Sequence, residues 1–126
     1  QKMYERFSNL RIVSVENGSS FLPDLFRKLP QQKNKLMGWF KEDPLELFKE
    51  HVWINPFWED DPYEVADLMG PDRVVFGSDW PHIEGMPAPL DYVMELKEFS
   101  IDDQKKILLD NVCALNEPRP LLNGHR

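Results

Sequence analysis

The residues best placed to do chemistry are Asp79 and His82, close together in the run Arg73-Val-Val-Phe-Gly-Ser-Asp-Trp-Pro-His-Ile-Glu-Gly85. A carboxylate and an imidazole at this spacing can exchange a proton, hold a metal ion or orient a substrate. The apolar run Val74-Val75-Phe76 ahead of them reads as a strand. In parallel α/β folds, ligands and catalytic groups gather beyond the carboxyl ends of the strands, so a polar turn here stands where function is expected. An Asp after Gly-Ser is equally a turn residue whose side chain satisfies nearby backbone donors, and residue type alone does not separate the two roles.

Several elements must position such a turn. Leu10-Arg-Ile-Val-Ser-Val15 is a β-branched run bounded by Asn9 and by Glu16-Asn-Gly18, which predicts a strand with Glu16 at its carboxyl end. Phe21, Leu22, Leu25, Phe26 and Leu29 recur at helical spacing, and residues 31–35 read as a polar connection. Asp43-Pro44 caps a helix over residues 44–50, and residues 51–55 read as a second strand leading into Pro56-Phe-Trp-Glu-Asp-Asp61. Asp61-Pro-Tyr-Glu64 opens a helix that Met69 and Gly70 close. Residues 73–76 form the third strand. Leu90, Val93, Met94 and Leu96 mark one helix, Ser100 caps another that runs to about residue 109, and a short turn is expected around residues 111–115.

Strands alternating with helices predict parallel α/β structure, with too few units here to close a barrel. A chain of 126 residues buries one modest core. Its 41% hydrophobic and 29% charged residues exclude a disordered chain, and neither a membrane span nor a signal peptide is read in it. A net charge of -7 with scattered Lys and Arg argues against nucleic acid as a partner. Cys113, the single cysteine, reads as a small core residue; no intrachain disulfide can form, which suits a cytoplasmic setting. The sequence opens on Gln1 rather than Met, as expected of a processed chain or one that starts within a longer protein.

Three passages in this order resemble the carboxyl-terminal part of the amidohydrolase superfamily, in its amidohydrolase-2, aminocarboxymuconate-semialdehyde decarboxylase-like branch. Arg11-Ile-Val-Ser-Val-Glu-Asn-Gly18 resembles the sixth barrel strand and its turn. Residues 72–85 resemble the eighth strand and its metal-binding turn, and residues 106–115 the closing helices, where an Asn starts a short last helix. The resemblance implies an α/β fold made of about three β/α units from the carboxyl-terminal portion of a (β/α)8 TIM barrel. That domain would span residues 1–126, with 116–126 as a tail. It also implies a divalent metal, zinc first and manganese second, with Asp79 as a ligand that helps activate water or position a small-molecule substrate. Such an ion makes water a competent nucleophile near neutral pH.

The family's His-any-His pair and its middle-strand His have no counterpart in this sequence, whose histidines are His51, His82 and His125. His51, at the start of a strand, and His125, in the tail, read as surface residues. Either the remaining metal ligands lie on a missing amino-terminal half, outside this chain, or this polypeptide binds no metal. Decarboxylase members carry a catalytic His where this chain has Glu16, which could act as a general base, a ligand, or a salt-bridged or capping carboxylate. Hydrolysis and non-oxidative decarboxylation both stay open. Trp80-Pro81-His82 also resembles the related dicarboxylate lactonase, which works without metal; there Asp79 would be a general base and His82 a substrate contact. Phe57, Trp58 and Trp80 are candidates to stack on an aromatic or flat acidic substrate, and core packing accounts for them too. Glu59, Asp60 and Asp61 read as loop caps and solvated charge. A different class of reading is a non-catalytic fragment, a homo-oligomer or one bound to a partner chain, because a partial barrel leaves edge strands unpaired.

Overall fold

The sheet is built from very short strands, and helices supply most of its support. In the computed structural model, which describes residues 3–118, a one-turn helix α1 (Met3–Arg6) precedes β1 (Ile12–Ser14). Helices α2 (Leu22–Lys35) and α3 (Pro44–His51) then cross over to β2 (Val52–Ile54). β1 and β2 pair in parallel, with Ile12 opposite Val52 and Ser14 opposite Ile54. After α4 (Pro62–Met69), Val74 bridges Ile54 in parallel, and the Val75 N–H donates to Ile54 O at 2.9 Å. The expected third strand is thus a single bridge. The ladder's next donor to Val75 O would be residue 56, a proline with no N–H, and the Asn55 Nδ2 takes that carbonyl instead, while the Phe76 N–H faces the other way and donates to Ile107 O at 3.0 Å.

Three-residue strands are not stable on their own. The helices bury them: Leu22, Ile54, Val65, Val74, Leu96 and Ile107 have almost no exposed surface and form one core. Each such side chain contributes about 1.5–3 kcal/mol of transfer free energy, more than the modest net worth of a ladder hydrogen bond. Helix starts follow the residues that cap them. Asp43 Oδ1 accepts the Leu45 N–H at 2.9 Å and Asp61 Oδ1 the Tyr63 N–H at 2.8 Å, while Pro44 and Pro62 occupy first-turn positions where a missing N–H costs nothing.

Five further expectations are corrected. Residues 31–35 continue α2, because Gln and Lys are good helix formers whatever their polarity, even after Pro30. Residues 89–94 wind as 3-10 turns, since Tyr92 and Leu96 are buried while Leu90, Val93 and Met94 face solvent. Residues 111–115 are helical: α5 (Ile101–Lys105) runs through a π turn (Lys106–Asp110) into α6 (Asn111–Asn116). Asn111 makes that join useful, its Nδ2 donating to Pro71 O and Val74 O at 2.8 and 2.7 Å. His51 is buried, stacked on Tyr4 with its Nδ1 2.7 Å from Leu10 O, and Cys113 is exposed. His125 lies outside the described residues.

Tyr92 provides a stability probe. Burial beside Phe76, with smaller contributions from nearby acidic groups, pushes its hydroxyl up to about 12 from an ordinary 10.0. Unfolded, it ionises first, so stability present below pH 10 should fall as pH rises toward 12, by on the order of 2–3 kcal/mol. Urea unfolding across that window should show this slope, and Tyr92→Phe should flatten it; equal slopes in both proteins would sink the assignment.

Candidate functional site

Two turns meet beyond the carboxyl ends of the strands. Glu16 lies two residues after β1 and Asp79 follows the bridged segment at Val74, and both hold left-handed backbone, with φ of 56° and 55°. Neither is Gly, and such a conformation costs a side-chain-bearing residue about 1–2 kcal/mol, so the surrounding contacts must impose it. For Asp79 they are visible. The Met86 N–H donates to Ser78 O at 2.8 Å, the His82 N–H to Asp79 O at 2.9 Å and the Gly85 N–H to His82 O at 3.0 Å, folding residues 78–86 back on themselves. For Glu16, the loop behind it is tied across the site by Asp60, whose Oδ2 accepts both the Ser19 and Phe57 N–H groups at 2.9 and 3.1 Å. The capping expected of Asp60 and Asp61 is what these carboxylates do.

The turns bring Glu16, Asp79 and His82 together. His82 Nδ1 lies 2.9 Å from Asp79 Oδ1 and 3.9 Å from Glu16 Oε1. The side chain of Asp79 is the least exposed of the three. One donor atom from each falls within 4.8 Å of the others. Two carboxylates and an imidazole gathered in this way are donor types that a divalent metal ion takes. Glu16 is held above the usual carboxylate range, first by its hydrogen bond with Asp79 and then by that group's charge, while His82 pulls the other way. The Glu16 carboxyl therefore holds a proton more readily than an isolated one would.

Beside the cluster lies a pocket of about 340 Å³ lined by Glu16, Asn55, Phe57, Trp58, Glu59 and Asp79, among others. Trp58 is held in place there by its Nε1–H, which donates to Glu84 O at 3.1 Å. Phe57 and Trp58 are both partly exposed rather than packed in the core. Trp80 is 67% exposed and is not among the residues lining the pocket. Glu59 and Glu84 line it as well, adding negative charge. Asn55, Glu84 and Gly85 carry parts of the site that sequence reading passed over. For Asn55 the available signal is a polar amide closing a run of apolar, buried strand residues.

The family model for the amidohydrolases matches residues 1–112. The chain belongs to the amidohydrolase family. Among solved structures it is similar to an amidohydrolase from Mycobacterium avium subsp. paratuberculosis K-10, at 43% identity and a TM-score of 0.87, over 90% of this chain and 30% of that one. It is also similar in fold to a 2,6-dihydroxybenzoate decarboxylase solved with 2,6-dihydroxybenzoate, at 20% identity and a TM-score of 0.69, over 89% of this chain and 36% of that one. Among curated proteins nothing matches. This amidohydrolase chain thus spans about a third of the length of these solved relatives, and its architecture is the partial (β/α)8 barrel that the family resemblance implies. No helix among the described residues is long and apolar enough to cross a membrane.

Proposed function

We propose that this amidohydrolase segment supplies one side of the active site of a metal-dependent hydrolase or non-oxidative decarboxylase, cytoplasmic in setting, acting on a small aromatic or carboxylated substrate. The observation that carries the reading is the convergence of Glu16, Asp79 and His82 donors within 4.8 Å beyond the strand ends. Asp79 and His82 would hold a divalent ion, zinc first and manganese second, with Glu16 beside them and further ligands from barrel strands outside this sequence. When bound, such an ion supplies Lewis acidity and makes water a competent nucleophile near neutral pH.

The chain's own groups do the rest. Asp79 orients His82 through the 2.9 Å contact at Nδ1. Glu16, its carboxyl raised by Asp79, can take up a proton at a higher pH than an ordinary carboxylate and return it to a leaving group or carbanion. Phe57 and Trp58 offer flat apolar faces to a ring, and the pocket of about 340 Å³ is of a size for a small aromatic acid such as the one held by the decarboxylase relative.

Equilibrium titration of the full-length protein with zinc and manganese, followed by turnover of aromatic acids, lactones and cyclic amides, tests this. We expect one bound ion per site, and Glu16→Gln should weaken its affinity by about tenfold while removing the proton acceptor from the turnover profile. Unchanged turnover after exhaustive chelation would refute the metal reading. It would favour a lactonase-like hydrolase in which Asp79 is the general base and His82 a substrate contact, a reading supported by the carboxyl pair and imidazole already in contact. A metal-free, inactive, self-associated protein would instead favour a non-catalytic role, for which the groove of about 670 Å³ along Leu10, Val13, Val15 and Val112 offers an apolar surface.

A further inference from the structure

Asn55 touches the base of both turns that carry the cluster. Its backbone N–H donates to Ser14 O at 2.9 Å, two residues before Glu16. Its side-chain Nδ2 donates to Val75 O at 3.3 Å, four residues before Asp79, and to Pro56 O at 3.1 Å. Both Nδ2 protons are thereby spent on carbonyls, which fixes the amide's orientation and leaves Oδ1 as acceptor only. Val75 already gives its own N–H to Ile54 O, so both backbone polar groups of that residue are committed to β2 and the residue that follows it. The amide is 9% exposed and lies flat against Gly77, where an added Cβ would stand 2.8 Å from Oδ1 and 2.9 Å from Nδ2. Gly77 is the residue that lets the chain pass the amide on its way to Asp79.

We propose that Asn55 is a positioning residue, which through Val75 and Gly77 sets where the Asp79 carboxylate sits relative to Glu16 and His82. The side chain must carry two donors, be short, and be flat. Asp would set oxygen against two carbonyl oxygens, and Ala would take from the Val75 carbonyl the donor that Asn55 gives it. The inference rests on the metal reading above for its first test and is independent of it for its second.

In the first, the affinity of the full-length protein for zinc is measured by competition with a chelator for wild type, Asn55→Asp, Asn55→Ala, Gly77→Ala and the Asn55→Ala/Gly77→Ala pair, beside the Tm of each. Residues that orient ligands typically change metal affinity 10–100-fold, so a loss of about tenfold or more is expected in Asn55→Asp and Gly77→Ala. Removing the amide gives the new Cβ room, so Gly77→Ala should cost little further in the Asn55→Ala background. A lower Tm with unchanged affinity, or an undiminished Gly77→Ala effect in that background, would overturn the proposal and leave Asn55 a structural residue. The second test is a metal-free crystal structure of Asn55→Ala. Displacement of Asp79 from its 2.9 Å contact with His82 supports the positioning role; a cluster with unchanged geometry overturns it. A wild-type protein that binds no zinc would sink the proposed function, and the crystal comparison would still decide what Asn55 does.

Discussion

Asp79→Asn should strip the divalent ion from the full-length protein and lower turnover about a thousandfold, the equivalent of the several kcal/mol that a bound ion contributes to a transition state. Asn is the informative replacement. Asp79 holds a φ of 55°, a conformation Asn tolerates about as well as Asp, whereas Ala would add backbone strain to the loss of the carboxylate. The loop bonds Met86 N–H to Ser78 O and His82 N–H to Asp79 O are made by the main chain and should survive. Loss of function would then belong to the charge alone. A second readout comes from Glu16, whose carboxyl is raised first by its hydrogen bond with Asp79 and then by that residue's charge. With the charge gone, the Glu16 carboxyl should fall back toward the ordinary range, which carbon-detected NMR can follow. Retention of full metal content and full turnover by Asp79→Asn would remove the central assignment.

What was legible in the sequence was local. Asp43-Pro44 and Asp61-Pro62 announce helix starts because cap and first-turn chemistry involve neighbours only, and both are found where expected. The placement of Glu16 and Asp79 after apolar runs was legible for the same reason, since a strand and its turn are written in a few consecutive residues. What was not legible depended on partners far along the chain. His51 is buried because Tyr4 stacks on it and Leu10 O meets its Nδ1, a pairing across more than forty residues that no local pattern announces. The strand at residues 74–76 reduces to one bridge because Pro56, on the facing strand, has no N–H to give Val75 O, a pairing that cannot be read until the two segments are side by side. Asn55 looked like a strand end until the Val75 carbonyl and the bare face of Gly77 were seen beside it.

Gly85→Ala should disable the same site without touching any of its side chains. A Cβ at Gly85 would stand 2.5 Å from the carbonyl oxygen of Asp79, 2.7 Å from its carbonyl carbon and 3.1 Å from His82 O. All three are backbone atoms, so no rotamer change relieves the clash, and the Asp79 peptide must move. That peptide oxygen accepts the His82 N–H, so its displacement shifts both the carboxylate and the imidazole of the cluster. Misplacement of a reacting group by about 1 Å can cost a hundredfold in rate, and a fall in turnover of at least that size is expected, with a parallel loss of metal affinity. Met86 is the one core residue on this turn, and the fully buried side chains Leu22, Ile54, Val65, Val74, Leu96 and Ile107 lie elsewhere, so the Tm should move less than the activity does. Gly38→Ala separates site geometry from general glycine effects: Gly38 has a φ of +77° but nothing within 4 Å of an added Cβ. It should cost about 1 kcal/mol in backbone strain and leave turnover intact. If Gly85→Ala kept its metal and its rate, or if Gly38→Ala lost them equally, the folded-back turn would not be what places Asp79 and His82.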